Sequence, residues 1–147
     1  MNETRYLVDT NALIELGTER RASRFFRVHC RLPTDVLYEA QGFPDLTSLK
    51  TLIYEVTPKV LEHVRTVMKS IRVGDIGLVD LYKNKGAADP VLIACALDAA
   101  EKDDGVLLPY RWIIVTHDKA VLEWAQKFGI ETASPAQLVA SIEAMDA

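Results

Sequence analysis

Residues 6–14 read Tyr6-Leu7-Val8-Asp9-Thr10-Asn11-Ala12-Leu13-Ile14, and the reading of this stretch decides the fold. Tyr6, Leu7 and Val8 are strand formers in an apolar run that stops abruptly at three small polar residues. A helix-like apolar stretch follows at once. A buried parallel strand reads this way when it delivers a carboxylate to its C-terminal tip and turns into a helix. Ligands of open α/β sheets bind at such tips, which makes Asp9 a candidate site residue. Asp is also a good helix N-cap, so the stretch alone allows either a site acid or a cap.

The same logic recurs late in the chain. Trp112-Ile113-Ile114-Val115 is continuous and rich in β-branched residues, and it ends in Thr116-His117-Asp118. Val121, Leu122, Ala125 and Phe128 then follow helical spacing up to Gly129. Ile130 to Thr132 reads as a short last strand, and Ser134-Pro135 opens a final helix with Leu138, Val139, Ile142 and Met145 on one face.

Between these strands the pattern is mostly helical. Ala12 to Leu16 is a short helix stopped by Gly17, and Thr18 caps a second one over Glu19 to Arg27. Arg20, Arg24 and Arg27 would share a face of that helix, and Arg31 would continue it or belong to the next strand. Such a stripe suits either a phosphate backbone or plain solvent. Val28 to Leu32 is a second strand by pattern, and Pro33-Thr34-Asp35 starts a helix with Glu39 near its N-terminal end.

Leu46 to Val56 follows helical spacing, and Thr57-Pro58 caps the amphipathic run Val60 to Ile71. These two helices are expected to form an antiparallel arm. Val73 to Lys85 is mixed and ends in a basic loop containing Lys83 and Lys85. Ala87-Ala88-Asp89-Pro90 opens another helix, with Asp89 as N-cap. Val91 to Ala100 is apolar or small on nearly every side, as a centrally packed helix must be.

The chain has 147 residues, 49% hydrophobic and 26% charged, which suits one domain, residues 1–147, with a full core. Its net charge of −4 argues against coating nucleic acid by charge alone. Cys30 and Cys95 show no metal-ligand spacing, and Cys95 reads as a reduced, buried small hydrophobe. There is no signal-peptide pattern and no apolar run long enough to span a membrane, so a soluble cytoplasmic protein is expected.

Strands alternating with helices imply a mostly parallel sheet covered on both faces, a three-layer α/β/α sandwich. The tips of its strands and the starts of the following helices share one edge, where Asp9, Glu39, Asp89 and Asp118 can converge. Two unit charges about 5 Å apart repel by roughly 3 kcal/mol at an effective dielectric near 20. One or two Mg²⁺ or Mn²⁺ ions are the simplest compensation, and they suit phosphoryl chemistry.

In their order and spacing, "LVDTNALI", "PTDVLYEA" with Glu39, "KGAADPVLIACAL" with Asp89 and "IIVTHDKAV" with Asp118 resemble the four acidic motifs of the PIN-domain ribonucleases. The resemblance covers essentially the whole chain and is closest to the VapC-type toxins. It implies Mg²⁺ or Mn²⁺ dependence, endonucleolytic cleavage of RNA, and a homodimer inhibited by a small antitoxin protein. Where many members carry an extra acid before the third aspartate, this chain has Ala87 and Ala88. The segment Asp103 to Arg111 is also longer than in compact toxins.

By position, Asp9, Asp89 and Asp118 would be metal ligands, and Glu39 would complete the site or orient the attacking water. Thr10 or Asn11 would bond to the Asp9 carboxylate, with Thr116 in a similar supporting part. Arg20, Arg24, Lys83, Lys85 and Lys119 are candidate RNA contacts. Two rivals stand beside the nuclease: a catalytically degenerate PIN-like module that binds RNA or protein, and a Mg²⁺-dependent phosphatase of another α/β family. The latter would want a second acid where Asn11 stands.

Overall fold

A computed structural model describes residues 3–70 and 88–146. The element that seats everything else is β1 (Thr4–Val8), the central strand of a five-stranded, all-parallel sheet in the order β3-β2-β1-β4-β5. Its neighbours are β2 (Cys30–Pro33) and β4 (Arg111–Val115), with β3 (Ile53–Tyr54) and β5 (Glu131–Ala133) at the edges. β1 and β4 pair along their whole length, from Thr4 opposite Arg111 to Val8 opposite Val115. Alternate residues of a strand point to opposite faces, so each face builds its own core. Val8 and Val115 pack with α1 (Thr10–Arg21), α2 (Arg24–His29), α3 (Thr34–Glu39), α4 (Leu46–Leu49) and the last helix, α8 (Pro135–Asp146). Leu7 and Ile114 pack with α5 (Pro58–Lys69), α6 (Ala88–Lys102) and α7 (Lys119–Lys127). The result is an α/β/α sandwich.

α6 is the central helix the sequence leads one to expect, with Val91, Leu92, Ile93, Ala94, Cys95 and Ala96 all buried. Helix starts follow their caps. Thr57 accepts a hydrogen bond from the Val60 amide (3.3 Å) ahead of Pro58. Ser134 and Gln137 cap each other's amides at 3.1 and 2.7 Å, a reciprocal box that opens α8. Among the described residues no helix is long and apolar enough to cross a membrane.

Several expectations need correction. α1 does break at Gly17, whose φ of +78° is open to glycine at little cost. The piece after it ends at Arg21, and Ser23 starts α2 by accepting from the Phe26 amide (3.2 Å). Arg20 therefore does not share a helix with Arg24 and Arg27, and the expected stripe is divided. The break leaves carbonyls without helical partners, and arginine side chains supply them. Arg21 donates to the Leu13 carbonyl (2.6 Å) and Arg20 to that of Leu16 (3.0 Å). Arg31, on β2, does the same for Arg27 at the end of α2 (3.1 Å). Val28 and His29 belong to α2 rather than to a strand.

The expected helix over Leu46 to Val56 is only α4 and a short 3₁₀ turn over Lys50–Leu52. Ile53 and Tyr54 instead extend the sheet as β3, pairing with Leu32 and Pro33. Short apolar runs fit helix and strand periods alike, and here the open edge of β2 decides. No antiparallel arm exists, because α5 packs on α6. Met145 is 68% exposed, off the buried face of α8. Lys83, Lys85 and most of the Val73 to Lys85 segment lie outside the described residues.

Arg21 is the buried one of these arginines. It is bidentate to Asp45 (2.9 Å to each oxygen) and stacks on the Phe43 ring at 4.5 Å. Its hydrogen bonds hold the Asp45 carboxyl below the usual carboxylate range. A lowered carboxylate pKa stabilises the fold above the unfolded value and loses that contribution as pH falls through the folded one. Arg21→Ala should cost about 3 kcal/mol in chemical denaturation near neutral pH, and the deficit should shrink in acid. Arg20→Ala, which breaks an exposed pair with Glu143, should cost under about 1 kcal/mol.

Candidate functional site

Because β1 and β4 are in register, the residues that follow them meet at the carboxyl edge of the sheet. The Asp9 amide donates to the Val115 carbonyl at 3.0 Å, continuing the ladder one residue past β1. Asp9 is only 4% exposed. Its Oδ1 accepts from the Thr10 amide (2.8 Å). Its Oδ2 accepts from the Thr116 hydroxyl (2.8 Å) and from Asn11 Nδ2 (3.2 Å). A buried carboxylate is costly unless donors surround it, and three converge here.

Thr116, 1% exposed, ties the two strand tips together. Its hydroxyl donates to Asp9 and accepts from the Asp118 amide at 3.0 Å. Asn11 works the same seam: its Nδ2 also reaches Thr116 Oγ1 (3.2 Å), while its Oδ1 accepts from the His117 amide (3.3 Å). Asp118 is half-buried and caps α7 by accepting from the Ala120 amide at 3.0 Å. Asp9 caps α1 through Oδ1. Capping and site reading are thus compatible: the cap bonds aim both carboxylates at one edge.

Two of the four acids are therefore brought together through Thr116. Asp89 lies in the first turn of α6, which begins at Ala88, one residue earlier than expected. α6 leads down to the start of β4, so its N-terminus points back toward the same edge. Its side chain lies outside the described residues. Glu39 is exposed and is the last residue of α3, not near its N-terminal end as expected. α3 stops there because the chain turns through Ala40 to Phe43, where the Phe43 amide bonds to the Ala40 carbonyl (2.9 Å).

Among the described residues no three acids, histidines or cysteines are grouped to hold a metal. The donors present at the edge are all oxygens, and Thr10 Oγ1 beside Asp9 is buried without a hydrogen-bond partner among the described residues. That donor chemistry fits a hard divalent cation better than a soft one.

Of the candidate RNA contacts, Lys119 is exposed at the start of α7. Arg20 is engaged by Glu143 (2.6 Å). Arg24 is exposed at the rim of a cleft of about 320 Å³ lined by Phe25, Val28, His29 and Met145.

Sequence reasoning missed Asp98. It is 1% exposed on α6, accepts from the Tyr54 hydroxyl (2.7 Å) and pairs with Lys102 (3.1 Å). Burial, then this carboxylate, pushes the Tyr54 hydroxyl above its ordinary range. Burial and Asp98 likewise push the Cys95 thiol up to about 12, so it is an inert core residue as expected. The signal was available: Asp98 is the single charge between Val91 and Ala100, on the stripe shared by Val91, Ala94 and Cys95. Asp35, in the first turn of α3, is a second acid passed over, and burial raises its carboxyl above the usual value.

No protein-family model matches this chain, and no curated protein matches it.

Thr116→Val removes a donor from Asp9 and an acceptor from the Asp118 amide while keeping the side-chain shape. It should cost about 2 kcal/mol in urea denaturation, because buried partners are left unpaired. Thr116→Ser should recover most of that loss.

Proposed function

We propose that this chain is a metal-dependent endoribonuclease of the PIN type, acting as the toxin of a toxin–antitoxin pair. The observation that carries the reading is the Asp9–Thr116–Asp118 seam, which presents two carboxylates on neighbouring strand tips. The resemblance of the four acidic motifs supplies the family. Asp9, Asp89 and Asp118 would hold Mg²⁺ or Mn²⁺, with Glu39 completing the set. Such an ion, when bound, supplies an activated water and neutralises charge on the phosphate.

The chain's own residues supply orientation. Thr116 and Asn11 fix the plane of the Asp9 carboxylate and, accepting no proton from it, keep it a ligand. Asn11 donates to Asp9 where a phosphatase of the rival type would place a second acid, which favours the nuclease. Lys119 sits beside Asp118 and would meet the phosphate backbone. A homodimer and a small antitoxin complete the proposal, and both rest on the resemblance alone.

Purified protein incubated with RNA in Mg²⁺, Mn²⁺ or EDTA tests the reading. Cleavage should need the metal and leave 5′-phosphate and 3′-hydroxyl ends. Asp118→Asn should keep the cap of α7, since Asn caps about as well as Asp, yet reduce cleavage to near background. Full activity in EDTA, or 2′,3′-cyclic phosphate ends, would rule the mechanism out.

A further inference from the structure

Tyr38 is 71% exposed, and it sits one residue before Glu39. Tyr6, Tyr54 and Tyr110 each rest against another aromatic ring, whereas Tyr38 makes no such contact among the described residues. Its place relative to the site follows from strand register. Tyr6 pairs with Cys30 and Leu7 with Arg31, so continuing the ladder sets Pro33 beside Asp9. α3 starts at Thr34, and four residues of helix rise put Tyr38 about 6 Å from that sheet edge. Ile14, 64% exposed, lies on α1 three residues after Asn11, and α1 packs against α3.

Single exposed apolar side chains are ordinary, but two on touching helices that also carry candidate site residues make a patch. Its chemistry is a flat π-face and a branched aliphatic next to a cluster built for a phosphate. A ligand that joins an anionic phosphate to a flat aromatic ring matches both halves. We propose that Tyr38 stacks an unpaired base of the RNA substrate, with Ile14 extending the apolar surface, and that the chain thereby selects single-stranded over duplex RNA. This rests on the nuclease reading. In a duplex the faces of each base are already covered by its neighbours, so the ring gains a partner only from an unstacked base.

Binding, not turnover, gives the test. Labelled unpaired and hairpin-stem oligonucleotides are titrated with Asp118→Asn protein in Mn²⁺, with and without Tyr38→Ala or Tyr38→Trp. Tyr38→Ala should weaken the unpaired oligonucleotide roughly tenfold, within the range of one base–aromatic stack, and leave the stem unchanged. Tyr38→Trp should bind at least as tightly as the parent. Equal binding by Tyr38→Ala and its parent would overturn the proposal while leaving the nuclease reading intact. So would equal losses on both oligonucleotides, or a change confined to self-association in sedimentation, which would make Tyr38 a protein contact. A parent that binds neither RNA would sink the nuclease reading itself.

Discussion

The structure depends on one buried charge. Asp9 ends the central strand with almost no exposure, in a place where an ionised carboxylate is tolerated only if donors replace its water. The Thr10 amide, the Asn11 amide group and the Thr116 hydroxyl do so, and each comes from a different structural origin. Thr10 and Asn11 arrive because a helix starts at once after β1. Thr116 arrives because β4 pairs with β1 in full register. Satisfying one carboxylate thus fixes a helix start and a strand pairing together, and the same threonine then positions Asp118.

The parts of the fold legible in the sequence are those where local and tertiary preferences agree. The Leu7-Val8 and Ile113-Val115 runs are continuous because both faces of their strands are covered, and this marks them as central. Caps at Thr57, Ser134 and Asp118 are local chemistry and stand where the sequence places them. β3 was not legible, since Ile53 and Tyr54 satisfy a helical period as well as a strand one until β2 offers its edge. Nor was the length of α3 legible, so the place of Glu39 along it was misjudged. Asp98 shows a third failure: a lone acid in an apolar helix reads as an exception, although Tyr54 and Lys102 make it a tether between β3, α6 and the sheet.

The arginines carry a related lesson about charge. Read as sequence, Arg20, Arg24, Arg27 and Arg31 are a cationic face. In the fold, Arg20, Arg21 and Arg31 are spent on carbonyls freed where helices end, and two of them also hold acids. Guanidinium geometry suits this work because one side chain can serve a carbonyl and a carboxylate at once. A basic count therefore overstates the surface left for a polyanion. In an acidic chain, phosphate attraction then falls to whatever the carboxylate edge itself binds.

The claim that this edge holds a divalent cation is tested most directly without any RNA. Thermal melts of the wild-type chain in EDTA and in Mn²⁺ are compared with those of Asp9→Asn. Ligand binding to the native state alone stabilises by about 2.7 kcal/mol at a hundredfold excess over Kd, so the wild-type melt should rise clearly in Mn²⁺. Asp9→Asn, with the charge removed from the centre of the site, should lose that rise. An Asp9→Asn protein that gains as much from Mn²⁺ as the wild type, or a wild type that gains nothing, would contradict the account.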